Sequence, residues 1–145
     1  MRVCFVLLLT LLTACGNPVM ILPGGALQGE PTSVPADWSA LAGVDTIQVE
    51  FRPADPYSHN IWCVGLDHDL YIATSADGTR WTPFVAADPN VRARVGTALY
   101  DLTAAPVTDA AERTRVAAAY EHKYDLDPKD NWVTGALIYR LDRQQ

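Results

Sequence analysis

Three cysteines and three histidines hold the nucleophilic and metal-ligating capacity of this 145-residue chain. His59, His68 and His122 lie far apart, and His68 stands between Asp67 and Asp69 in a short polar segment. A metal centre needs donors that converge, and this spacing does not supply them; a solvated turn is the simpler reading. Cys63 follows Trp62 in an apolar run with no base beside it, so it reads as a packed thiol rather than a nucleophile. No Gly-x-Ser-x-Gly or His-Glu-x-x-His pattern occurs. Cys15 is different in kind. It follows Leu12-Thr13-Ala14, a branched apolar residue and two small ones, which would let a peptidase approach the backbone closely with a thiol placed to accept an acyl group.

The residues before Cys15 fit that chemistry. Arg2 and the amino terminus form a positive end, and Phe5 to Leu11 is apolar but too short to span a bilayer stably. Leu12-Thr13-Ala14-Cys15 resembles the bacterial lipobox at every position. The expectation is a signal peptide over residues 1–14 and a mature chain that begins with lipidated Cys15. Several acyl chains on one residue exceed what stable anchoring requires, each buried methylene contributing about 0.8 kcal/mol. The partner so implied is a lipid bilayer, with the protein lying on it. Gly16 is not the Asp that marks inner-membrane retention, so the expected location is the bacterial envelope. That means the outer membrane facing the periplasm in a Gram-negative host, or the outer face of the cell membrane in a Gram-positive one.

With Cys4 removed and Cys15 acylated, Cys63 has no partner for a disulfide, and the core must hold without one. The formal charge is −6, and loss of Arg2 makes it more negative. With no run of basic residues, nucleic acid is excluded as a partner. Residues 15–35 carry Pro18, Pro23, Pro31 and Pro35 with Gly24, Gly25 and Gly29, a tether composition interrupted by the apolar Val19-Met20-Ile21-Leu22. Residues 36–145 are enough for one hydrophobic core.

Within that domain, Val44 to Arg52 alternates, with Thr46, Gln48 and Glu50 on one face and Ile47, Val49 and Phe51 on the other. Asn60 to Leu66 and Leu70 to Thr74 read as a hairpin through Asp67-His68-Asp69. Ser75-Ala76-Asp77-Gly78 is a turn, and Arg80 to Phe84 a short piece interrupted by Pro83. Val91 to Val95 and Leu99 to Pro106 form a second hairpin through Gly96-Thr97. Asp109-Ala110-Ala111-Glu112 matches a capping box and opens an alanine-rich helix to about Lys123, with Val116, Tyr120 and Tyr124 on one side. Trp132 to Leu141 reads as a closing strand. The expected fold is mainly β with one late helix (α+β), a six-stranded antiparallel barrel whose closure removes exposed edges.

The run Ile61 to Ser75, then Gly78-Thr79-Arg80-Trp81, then Ala87 to Gly96 and Ala105-Pro106-Val107-Thr108-Asp109, resembles the pyridoxamine 5′-phosphate oxidase-like split β-barrel superfamily. The nearest branch is that of the deazaflavin-dependent nitroreductases, and the resemblance spans about residues 37 to 142. It implies FMN or a deazaflavin bound by a homodimer, with possible hosts of the phosphate at Thr74, Ser75, Thr79 and Arg80 and an indole, Trp62 or Trp81, against the ring. Hydroxyls and a guanidinium suit phosphate, and an indole offers a stacking face. It further implies an oxidoreductase acting on a small molecule. The sequence departs from the pattern at Thr74-Ser75-Ala76-Asp77, where family members carry Lys or Arg after the third strand. A cofactor-free envelope protein that binds a ligand or partner therefore stands as the alternative.

Overall fold

The computed structural model describes Pro18 and residues 22–144, apart from the side chain of Thr134. Cys15, the signal segment and Val19 to Ile21 lie outside the described residues. The strands are β1 (Glu30–Pro31), β2 (Thr46–Phe51), β3 (Tyr57–Leu66), β4 (Asp69–Thr74), β5 (Asn90–Val95), β6 (Ala98–Pro106) and β7 (Leu137–Arg143). The helices are α1 (Thr82–Ala87), α2 (Ala110–Tyr124) and the single turn α3 (Trp132–Gly135).

Six antiparallel strands close into a barrel in the order β6-β5-β2-β3-β4-β7, with β7 returning to β6. Closure rests on two long strands that change partners along their length. The first part of β3 pairs with β2, up to Thr46 opposite Trp62; its last four residues, Cys63 to Leu66, pair with β4. β6 pairs with β5 from Ala98 to Thr103 and with β7 from Leu102 to Pro106. The expected split barrel and its late helix are both present.

Strand alternation fills the barrel. Ile47, Val49 and Phe51 from β2 meet Ile61 and Cys63 from β3, Leu70 and Ile72 from β4, and Leu102 and Ala104 from β6. Trp81 lies in this core, stacked on Phe51 with ring centroids 4.9 Å apart and planes 5° apart. A second apolar layer covers the outside of β4 and β7, where Tyr71, Ala73 and Ile138 pack against Val116, Ala117 and Tyr120 of α2 and against Val133. β4 is thus buried on both faces, which is why its sequence is apolar without alternation. Asp109 caps α2 by accepting the Glu112 N–H at 2.8 Å. Glu112 does not return the bond expected of a capping box; its carboxylate accepts from Tyr71 (2.9 Å) and Arg140 (2.7 Å) and ties the helix start to β4 and β7.

Three local readings differ from the structure. Arg80 to Phe84, read as an irregular piece, leads into α1, where Pro83 occupies the first turn and lacks only an N–H the helix does not use. Trp132, read as the start of the last strand, sits in α3, and β7 begins at Leu137. The tether composition extends to residue 35, yet the chain lies on the barrel from Gly24 onward. Gly24 exchanges two 2.9 Å backbone bonds with Ser58, Leu27 is buried, and β1 runs parallel to β6.

That segment explains the fate of Glu50, expected on the polar face of β2 but 0% exposed. Its Oε2 accepts the Leu27 N–H at 2.6 Å, and Arg92, its partner across the β2–β5 ladder, donates to both oxygens at 2.7–3.0 Å. Arg92→Ala would leave a buried carboxylate without its counter-charge, so we expect a loss of about 3–5 kcal/mol, measurable as a fall in the urea midpoint. Gly65 is a second fixed point, because a Cβ there would lie 2.2 Å from the Trp38 carbonyl oxygen. Gly65→Ala should cost about 2–3 kcal/mol through overpacking against backbone, read by the same denaturation.

Candidate functional site

Beyond Trp62, β3 no longer has β2 beside it, and three residues of α2 take over its backbone. The Cys63 N–H donates to Tyr124 Oη at 2.9 Å, and that hydroxyl faces the Asp45 and Cys63 carbonyls at 2.7 and 2.8 Å. Lys123 Nζ donates to the carbonyls of Leu41, Val44 and Cys63 at 2.7–2.9 Å. Tyr120 Oη reaches the carbonyls of Trp62 and Tyr71 at 3.1 and 3.3 Å. Burial holds both phenols well above their ordinary pKa, so they are neutral hydrogen-bonding groups at any physiological pH.

The same helix end builds a platform. Tyr124 stacks on one face of Trp62, centroids 4.5 Å and planes 8° apart, while Trp132 meets Trp62 edge-on at 5.9 Å. Trp62 is 41% exposed, although most large apolar side chains are buried. It forms one wall of a shallow cleft of about 330 Å³ between β3, the end of β4, the turn after it and α3. His59, Asn60 and Ile61 continue the β3 wall, and Ala73, Thr74, Ser75, Thr79 and Trp81 form the other side with Trp132.

The structure therefore brings Trp62, Thr74, Ser75, Thr79 and Trp81 to one cleft. Their circumstances differ. Thr74 is buried at the end of β4. Ser75 opens a turn closed by the Gly78 N–H to its carbonyl at 2.9 Å, and Gly78 takes φ 75°. The Thr79 N–H donates to Thr82 Oγ1 at 2.8 Å, which fixes the entry to α1. Trp81 is only 2% exposed, with Phe51 on its face and Tyr139 at 5.6 Å, so Trp62 is the indole with a face to offer. Arg80 is exposed and is not part of the cleft lining; its guanidinium carbon stands 5.5 Å from the Tyr57 ring centroid.

His59, Asn60 and Trp132 are additions that sequence spacing did not identify. The imidazole of His59 meets Tyr57 edge-on, and its Nδ1 is buried without a hydrogen-bond partner among the described residues. Burial lowers its pKa from the ordinary 6.5. The signal available was weak: a histidine next to Asn60 and three residues from Trp62 near the start of a strand.

Other chemistry-bearing residues are fully engaged elsewhere. Cys63 lies in the barrel core with its thiol pKa raised by burial, against which nearby Lys123 acts in the opposite direction. His68 Nδ1 bonds the Ala36 carbonyl at the β3–β4 turn. Across the barrel, Tyr71 Oη sits among Glu112 (2.9 Å), Asp69 (3.2 Å) and Arg115 (3.2 Å), and Arg140 bridges Glu112 and Asp142. This network docks α2 on the sheet. Among the described residues, no three His, Cys, Asp or Glu side chains group as metal ligands, and no helix is long and apolar enough to cross a membrane.

The barrel has counterparts among solved structures. A putative pyridoxamine 5′-phosphate oxidase from Listeria innocua superposes with a TM-score of 0.55 at 12% identity, over 72% of this chain and 88% of its own. A FAD-binding protein from Mesorhizobium loti gives 0.54 at 14% identity, over 72% and 85%. HutZ, the haem storage protein of Vibrio cholerae, gives 0.58 at 16% identity, over 73% and 87%. At such identities the likeness shows the fold alone, a six-stranded split barrel with one long helix. No protein-family model and no curated protein matches the sequence.

The depressed pKa of His59 gives a pH test. As pH falls below 6.5 the unfolded chain takes up this proton before the native chain does. The stability that neutral His59 contributes is thus present above 6.5 and is lost as pH falls through its lower native value. His59→Gln should flatten the acid limb of a urea-midpoint profile between pH 7 and pH 5; identical slopes would refute the assignment.

Proposed function

We propose that this chain is an envelope lipoprotein, anchored to the bilayer through acylated Cys15, whose split barrel binds a flavin-type cofactor and acts as an oxidoreductase on a small molecule. The observation that carries the cofactor reading is Trp62, backed on one face by Tyr124 and open on the other, in a cleft whose wall also includes His59. A planar isoalloxazine or deazaflavin ring suits such a face. The Thr74, Ser75 and Thr79 hydroxyls are the groups that would take a phosphate, and neutral His59 offers one donor and one acceptor nitrogen.

When bound, such a cofactor supplies hydride transfer, while the chain provides position and electrostatics. Tyr124 holds the indole flat, Trp132 limits its rotation from the edge, and the turn anchored by Gly78 sets where the hydroxyls stand. A homodimer belongs to this reading as what the resemblance implies.

One feature favours a second reading, a cofactor-free barrel that binds a ligand or partner: no lysine or arginine is among the described residues lining the cleft. Titration of the detergent-solubilised chain with FMN, and then with a deazaflavin, followed by ligand fluorescence, separates the two. We expect saturable binding that Trp62→Ala weakens about two- to tenfold, the range of one lost aromatic contact. No saturable binding of either compound would leave the cofactor-free reading.

A further inference from the structure

We propose that the outer face of β3 is seated on the bilayer, so that the cleft opens at the membrane surface rather than on a domain swinging from a tether. The inference rests on acylation of Cys15 as read above. Pro18 is buried, and its carbonyl accepts from Gln48 Nε2 at 3.1 Å. Only two residues separate it from Cys15, and a chain extends at most about 3.6 Å per residue step, so over three steps the acyl chains begin within about 11 Å of that contact. A freely extended anchor would not need to start on the barrel wall.

The residues around that contact suit a lipid surface. Gln48 stands opposite Asn60 in the β2–β3 ladder, and Asn60 and Trp62 share the same face of β3 beyond Ser58, which residue 24 covers. Leu22, 64% exposed, precedes by two residues the Gly24 that bridges to Ser58. Leu22 and Trp62 are the large apolar side chains that stand exposed among the described residues. An indole at a lipid–water boundary keeps its ring apolar and its N–H wet. Arg94, opposite Gln48 on β5, donates to Gln48 Oε1 at 2.8 Å and has no carboxylate in ion-pair range among the described residues. Its charge is available to an anionic phospholipid headgroup close to the anchor. A second copy could also cover Trp62, but the short run from Cys15 to Pro18 places the bilayer there first.

The test uses the full acylated chain in phosphatidylethanolamine–phosphatidylglycerol vesicles, with and without dibrominated lipid, and reads tryptophan emission. We expect bromolipid to quench a component that Trp62→Phe lacks. A reporter at the other apolar point, Leu22→Trp, should add quenching beyond the wild type, and its exposed position makes it independent of how Trp62→Phe folds. Flotation of the vesicles, with Cys15→Ser as the unanchored control, is measured on the same samples. Protein that floats while neither reporter is quenched overturns the seating and leaves the anchor standing. Protein that floats with Trp62 shielded by a cross-linkable second copy also overturns it. Wild-type protein that floats no better than Cys15→Ser overturns both the seating and the lipoprotein reading.

Discussion

Where β2 ends opposite Trp62, β3 must continue with one backbone edge unpaired, and it does so beneath a helix rather than in water. Buried peptide groups without partners cost about as much as a lost hydrogen bond each. The last turn of α2 meets the need, through Tyr120, Lys123 and Tyr124, which bond the carbonyls and N–H around Trp62 and Cys63. The partner change in β3 lets the barrel close. The same event requires a helix in this place and orientation, and that helix puts an aromatic ring behind Trp62.

Two further contacts hold the arrangement. At its start, α2 is tied to β4 and β7 by Glu112, which gives up its local capping role for bonds to Tyr71 and Arg140. On the opposite side of the barrel, residues 24–31 are held by backbone pairing to Ser58 and β6 and by the buried carboxylate of Glu50. Glu50 is stable there because Arg92 neutralises it bidentately and the Leu27 N–H fills a remaining acceptor position. The segment is part of the folded unit because its polar backbone atoms are used, whatever its proline and glycine content implies about stiffness.

The functional reading follows from which aromatic rings remain open after packing. The domain has several rings near the cleft, and most are spent on each other: Trp81 on Phe51, Tyr120 on Tyr124, and Trp132 edge-on to both Trp62 and Tyr120. Trp62 ends the chain of stacked rings with a face uncovered. Beside it, the buried Nδ1 of His59 has no hydrogen-bond partner among the described residues.

Much of this was legible in the chain. Alternation gave β2 and its inward Ile47, Val49 and Phe51; polar turns at Asp67-His68 and Gly96-Thr97 placed two hairpins; and Asp109 marked the start of α2 with Val116, Tyr120 and Tyr124 on its packing side. These features follow from local rules of periodicity, turn chemistry and capping, which act over a few residues and survive in any context. The tertiary structure decided the rest. It buried Glu50 under a segment more than twenty residues away in sequence, assigned Trp81 to the core and Trp62 to the cleft, sent Arg80 to Tyr57 instead of the cleft wall, and turned Trp132 into a helix that lines it. Each of those outcomes depends on what covers an outward-facing side chain, and the covering element comes from elsewhere in the chain, so no local pattern encodes it.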